Sequence, residues 1–143
     1  MVSHFKAVVS HFKKVTENFW VSPQVLEEHV QAAADAGFRT LINNRPDGEE
    51  PGQPTDAQVE GWARARGLDY QALPVSGGIS RELVEAMGDM VADAQKPVLA
   101  FCRSGMRSIS LWAMAESLAG RRVKADLIER GEAAGYDLSR IPI

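Results

Sequence analysis

The chain has 143 residues, 45% of them apolar and 24% charged, with a net charge of −3 at neutral pH. That is enough for one domain with a buried core, and the acidic balance argues against a nucleic-acid surface. A single cysteine, Cys102, excludes an internal disulfide and suits a reducing, cytoplasmic setting. No apolar run approaches the roughly 20 residues of a membrane span. His4, His11 and His29 lie near the amino end without partners at metal-ligand spacing, so neither a metal nor another cofactor is expected.

Residues 1–16 read as an N-terminal arm ahead of a single α/β domain over 17–143. In the arm Val2-Ser3-His4-Phe5-Lys6 recurs as Val9-Ser10-His11-Phe12-Lys13. A heptad offset would put both copies on one helix face, but two copies are too few for a coiled coil, and a frayed tail is expected. No signal-peptide pattern is visible.

Phe19 to Val21 reads as a short strand, and Ser22-Pro23 as the N-cap and first position of a helix. Val25, Leu26, Val30, Ala33 and Ala34 supply its inner face, and Gly37 ends it. Phe38 to Asn43 is the next strand. Asn44 to Pro54 is a loop by composition, with three prolines and two glycines. Thr55 and Gln58 form a capping box for a helix that turns Val59, Trp62 and Ala63 inward and stops at Gly67. Tyr70 to Val75 is a third strand, followed by the Ser76-Gly77-Gly78 loop. Ser80 caps a helix carrying Leu83, Val84, Met87, Met90 and Val91, which stops at Lys96-Pro97. An apolar strand, Val98 to Phe101, leads to Cys102. Behind it comes a helix from Ser108 to Ala119 with Ile109, Trp112, Ala115 and Leu118 inside, and a last one from Val123 to Ala134, closed by Gly135.

Strands separated by helices of this length imply a mostly parallel sheet flanked by helices. In such sheets ligands bind beyond the carboxyl ends of the strands. The loops Asn44–Pro54, Ser76–Ile79 and Arg103–Arg107 leave on that edge and should form one pocket.

The chemistry lies in Cys102-Arg103-Ser104-Gly105-Met106-Arg107-Ser108. A cysteine at a strand-to-helix turn meets backbone N–H groups and the positive end of a helix dipole, which favours thiolate and binds anions. Gly105 permits backbone angles that L-residues resist, and Arg107 supplies a planar cation. Ser104 and Ser108 add hydroxyls able to hydrogen-bond a thiolate or an oxyanion. A lone cysteine is most often a small buried hydrophobe, but this context makes Cys102 the candidate nucleophile.

With these residues in view, the chain resembles the beta-lactamase-hydrolase-like family and its phosphatase-like domain. The likeness also covers Leu41-Ile42-Asn43-Asn44-Arg45-Pro46-Asp47-Gly48-Glu49, Pro74-Val75-Ser76-Gly77-Gly78-Ile79-Ser80 and Gly135-Tyr136-Asp137-Leu138. The resemblance implies a cysteine-phosphatase-like fold of the dual-specificity type. The family is also labelled a sulfur transferase family, and in some members this domain looks fused to a metal-dependent persulfide dioxygenase. It thereby implies such an enzyme of sulfide metabolism as a partner.

Cysteine phosphatases typically carry His before the cysteine and five residues before the arginine. Here Phe101 precedes Cys102, and four residues separate it from Arg107, with Ser108 where a phosphatase has arginine. That loop length resembles rhodanese-type sulfurtransferases. Phosphoryl transfer normally needs an acid to protonate the leaving oxygen. The Ser76–Ile79 loop has no carboxylate, but Asp47, Glu49 and Glu50 lie in the neighbouring loop, with Asp47 the candidate acid, though Pro-Asp-Gly is also ordinary turn chemistry.

The leading expectation is therefore sulfur transfer. Cys102 attacks a small anionic donor such as thiosulfate, sulfite leaves, and Arg107 orients the donor, with Arg103 a second candidate for that role, while the loop from Arg103 through Met106 to Ser108 binds the charge. A cysteine phosphatase is the first alternative. A non-catalytic persulfide carrier or anion-binding module is the second.

Overall fold

Alternation along short apolar strands sends successive side chains to opposite faces of a sheet, and this chain builds two cores that way. The computed structural model describes residues 10–143. Its strands are β1 (Lys13–Lys14), β2 (Phe19–Ser22), β3 (Thr40–Asn43), β4 (Asp69–Ala72) and β5 (Val98–Phe101). Its helices are α1 (Glu27–Asp35), α2 (Asp56–Ala65), α3 (Arg81–Asp93), α4 (Met106–Leu118) and α5 (Lys124–Ala134). The strands lie in the order β1-β2-β5-β3-β4, all parallel except β1, which runs against β2.

Val98 and Ala100 of β5 join Phe19, Val21 and Ile42 in the core closed by α3, α4 and α5. Leu99 and Phe101, their neighbours in sequence, face the other core with Leu41, Val59 and Ala63, closed by α1 and α2. A parallel sheet covered on both faces needs such continuous apolar strands. Ring contacts fix the layers: Phe19 stacks on Trp112 at 5.5 Å between centroids. The capping box of Thr55 and Gln58 and the Ser80 cap form as the sequence indicates.

Four differences from the sequence reading matter. Ser22 ends β2, paired with Phe101, and does not cap a helix. The chain runs on through Pro23 to Val25, and α1 starts after Leu26, whose N–H donates to His29 Nδ1 at 2.8 Å. Leu26 is therefore exposed at the helix entrance and not on its inner face. The third strand is shorter than Tyr70 to Val75 because after Ala72 the chain peels away, Leu73 and Val75 donating to the carbonyls of Asn43 and Asn44. Leu118 is 48% exposed, since the last turn of α4 outruns the sheet. Trp62 is half-buried at the edge of the second core.

The first copy of the amino-terminal repeat lies outside the described residues. In the second, whose Val9 lies outside them too, Lys13 forms β1 with the following Lys14, and Phe12 is buried edge-to-face against Phe38 at 5.7 Å. Val15 is buried as well. Residues 12–15, expected in a frayed arm, thus pack on the domain.

The pairing registers set the site. Ser22, Phe101, Asn43 and Ala72, the last residues of four parallel strands, stand side by side. Every loop that follows them starts from one edge.

Phe12→Ala tests the docking of β1. It should lower unfolding free energy in urea by about 3 kcal/mol, the usual cost of emptying a buried phenyl site. A loss below about 0.5 kcal/mol, the surface range, would mean that this segment contributes nothing to the core.

Candidate active site

Cys102 is the first residue beyond β5 and is fully buried. Its Sγ accepts a hydrogen bond from the Gly105 amide at 3.1 Å. Helix α4 begins at Met106, earlier than the Ser108 expected, so Arg107 belongs to the first helical turn and not to the loop. First-turn amides lack intrahelical acceptors, and with the helix dipole they make a concave, anion-seeking end. Gly105 caps α4 with φ +95°, and a Cβ there would collide with the Tyr136 hydroxyl. No other residue type meets both conditions.

Arg107 is held by a fork. Its Nη1 donates to Glu49 Oε2 and to the Val75 carbonyl, and its Nη2 to Glu49 Oε1, each at 2.8 Å. Three of its five guanidinium protons are thus committed to Glu49 and Val75, and the side remaining faces Cys102, with which it shares a side-chain hydrogen bond. The Glu49 bond and the nearby Cys102 charge hold the Arg107 pKa above its ordinary value, against the effect of burial. In return the Arg107 bond, with that of Arg45, holds the Glu49 carboxyl down at about 2 although burial pushes it up.

Glu49 is shared. Its Oε1 also accepts from Nε of Arg45 at 2.9 Å, and Arg45 is buried. The other ends of Arg45 donate to Gln24 Oε1 at 2.9 Å and Glu50 Oε1 at 3.0 Å. Glu50 in turn faces Arg103 at 3.8 Å. Gln24, in the turn after β2, donates its N–H to the Arg103 carbonyl at 3.2 Å. Charge therefore alternates between the Asn44–Pro54 loop and the Cys102 segment, with the neutral Gln24 joining the turn after β2 to both.

The structure brings Cys102, Gly105 and Arg107 together. The Asn44–Pro54 loop reaches them through Glu49, while the Ser76–Ile79 loop takes part through the carbonyl of Val75 before it. Asp47 stands apart: it is exposed, and its Oδ1 accepts the Asp56 N–H at 2.7 Å, holding the start of α2. Ser104 Oγ accepts the Met106 N–H at 3.2 Å and so serves the helix end. Ser108 is fully buried and its hydroxyl makes no hydrogen bond. Arg103 points outward, with 67% of its side chain exposed. Met106 is half-buried against the first core.

Sequence reasoning missed Glu49 as the partner of Arg107, and Arg45, Gln24 and Tyr136 altogether. The Arg45-to-Glu49 spacing was a signal for one pair, but nothing in the sequence linked Glu49 to Arg107. Among the described residues no group of three His, Cys, Asp or Glu could hold a metal ion, and no helix is long and apolar enough to cross a membrane.

Comparison with known proteins bears on the family and the fold. Residues 11–119 match the family described as beta-lactamase hydrolase-like protein, phosphatase-like domain. A beta-lactamase hydrolase-like protein of Agrobacterium fabrum is 36% identical over 126 residues, covering 87% of this chain and 29% of that relative. The chain thus spans under a third of the length of the curated relatives it matches. A candidate phosphatase of Neisseria meningitidis superposes with a TM-score of 0.81 at 34% identity, over 89% of this chain and 90% of that one. P. aeruginosa TpbA, crystallised with pTyr, shares the fold at a TM-score of 0.68 and 14% identity, over 90% and 77% of the two chains.

Glu49→Gln tests the fork by its pH dependence. A carboxyl lowered from 4.5 to about 2 stabilises the fold above pH 4.5 and loses that effect as pH falls toward 2. Urea melts of the parent and Glu49→Gln should differ most above pH 4.5 and converge between 4.5 and 2. A gap that stays constant through that window would contradict the fork.

Proposed function

The chain belongs to the beta-lactamase hydrolase-like family, in its phosphatase-like domain, and from that premise we propose that it is a cysteine-dependent phosphatase for phosphate monoesters with weakly basic leaving groups. What carries this is the placement at Cys102 of one loop amide and of the Arg107 guanidinium, which Glu49 holds in a fork and which also bonds the sulfur. Kinship with a candidate phosphatase over 89% of the chain supports it.

The Cys102 thiolate attacks phosphorus, an S–P bond forms, and the ester P–O bond breaks with its electron pair on the leaving oxygen. Water then attacks phosphorus, the S–P bond breaks, and phosphate and thiolate are released. Arg107 binds the non-bridging oxygens with the side of its guanidinium that faces Cys102, and α4 amides neutralise the charge that gathers there.

The leaving group sets the substrate class. Glu49 and Glu50 are each bound to two arginines, and Asp47 holds α2. None of these three is a free acid at the cup. Aryl phosphates, whose phenols leave without prior protonation more readily than alkanols, fit this constraint best.

Sulfur transfer is the second reading, favoured by the four-residue spacing between Cys102 and Arg107. There the thiolate attacks the outer sulfur of thiosulfate, an S–S bond forms on Cys102 as the donor S–S bond breaks, and sulfite leaves with the electron pair. A thiol or cyanide removes the outer sulfur. The need for an acid is small here too.

A series of aryl phosphates assayed beside thiosulfate with cyanide separates the two. Phosphate release should rise steeply as the phenol becomes more acidic, vanish in Cys102→Ser, and fall by about 100-fold in kcat/KM in Arg107→Lys, as for loss of an oxyanion donor. Thiocyanate turnover with no phosphate release would overturn the phosphatase reading in favour of the second.

A further inference from the structure

The Gly135–Leu138 turn takes no part in the chemistry above, yet it reaches the Cys102 loop. Tyr136 Oη donates to the Ser104 carbonyl at 2.8 Å. The amide on the other side of that peptide group, Gly105 N–H, is the one donated to Cys102 Sγ at 3.1 Å. Among the described residues the cis peptide is Lys96–Pro97, so the Ser104–Gly105 peptide is trans. In a trans peptide the C=O and N–H point in opposite directions. A hydroxyl that fixes the carbonyl outward therefore fixes the N–H inward.

We propose that Tyr136 is a positioning residue for Cys102: by holding the Ser104–Gly105 peptide in this orientation it keeps an N–H on the sulfur and sustains the reactive thiolate. This rests on Cys102 being the nucleophile, whichever group it carries. Without the hydroxyl, the Ser104 carbonyl loses this partner. The glycine beside it offers little steric resistance to rotation of the peptide. A rotated peptide would turn a carbonyl oxygen toward the sulfur, which repels a thiolate.

The seat of Tyr136 suits this role. Its N–H donates to the Gly131 carbonyl at 2.8 Å, and Leu138 is buried against Gly131, where a Cβ would come within 2.7 Å of Leu138 Cγ. The tyrosine is thus fixed to the end of α5 from both sides. Its hydroxyl stays protonated through the neutral range, because burial and then the Cys102 charge push its pKa up to about 12. Donor and amide form a short chain of bonds that polarise one another. Gly105 and Tyr136 are a matched pair, since the space a Cβ would take is filled by the hydroxyl.

The test is the rate of Cys102 alkylation by iodoacetamide as a function of pH, in the parent chain, Tyr136→Phe and Asp137→Asn. Among the described residues the Asp137 carboxylate accepts from Ser139 and lies near the charge of Arg140, so Asp137→Asn disturbs the turn without touching Ser104. Tyr136→Phe should alkylate about fivefold more slowly at neutral pH, the effect of one lost hydrogen bond, with its profile displaced to higher pH. Asp137→Asn should follow the parent. A folded Tyr136→Phe whose profile superimposes on the parent would overturn the proposal. If that variant does not fold, NMR on the parent chain decides: across Cys102 ionisation the Gly105 amide, Ser104 carbonyl and Tyr136 ring signals should move together, and an unmoved Tyr136 ring overturns it. Alkylation does not depend on the transferred group, so failure of the phosphatase reading and failure of this one give different results.

Discussion

The site depends on a buried guanidinium. Arg45 is 2% exposed, and a cation so far from water must be paired. Glu49, Glu50 and Gln24 each accept from one nitrogen of the planar group. Removing one partner leaves the charge buried with fewer groups to balance it, which is unfavourable. That penalty holds the loops after β2 and β3 in one arrangement. Glu49 carries the constraint onward to Arg107, and so to the first turn of α4 beside Cys102. The cup is formed before any substrate arrives, which is what electrostatic stabilisation of a transition state requires.

Much of the fold was legible because it rests on local rules. Alternation in Val98-Leu99-Ala100-Phe101 divides the two cores, and Thr55, Gln58 and Ser80 cap where their side chains can reach the backbone. Cys102, Gly105 and Arg107 were readable as a site from adjacency in the chain. What escaped was set by contacts distant in sequence. Ser22-Pro23 has the pattern of a helix start, but pairing with Phe101 outweighs it. Phe12 and Val15 are buried by residues far along the chain, Phe12 against Phe38 and Val15 in the core that holds Leu127. Asp47 and Glu49 are nearly equivalent in sequence, and only the approach of Arg107 tells them apart.

Both proposed chemistries would use Cys102 as nucleophile and Arg107 as the anion-binding cation, and they differ in the leaving group. With the three carboxylates of the β3–α2 loop committed, the protein has a strong anion cup and no free acid among them. Both phenolate and sulfite can leave such a site. Family kinship weighs toward the phosphoryl group, and the short Cys102–Arg107 spacing toward sulfur. The same preorganised amides and guanidinium would stabilise a trigonal-bipyramidal phosphorus or a persulfide.

The covalent intermediate distinguishes them most directly. The protein would be mixed with an aryl phosphate, quenched in acid within milliseconds, and its intact mass and Cys102 peptide measured. Phosphoryl transfer predicts a gain of one phosphoryl group on Cys102 that decays as phosphate appears. Phosphate release with Cys102 unmodified at every time would contradict it, as would a chain that acquires sulfur from thiosulfate but never phosphorus.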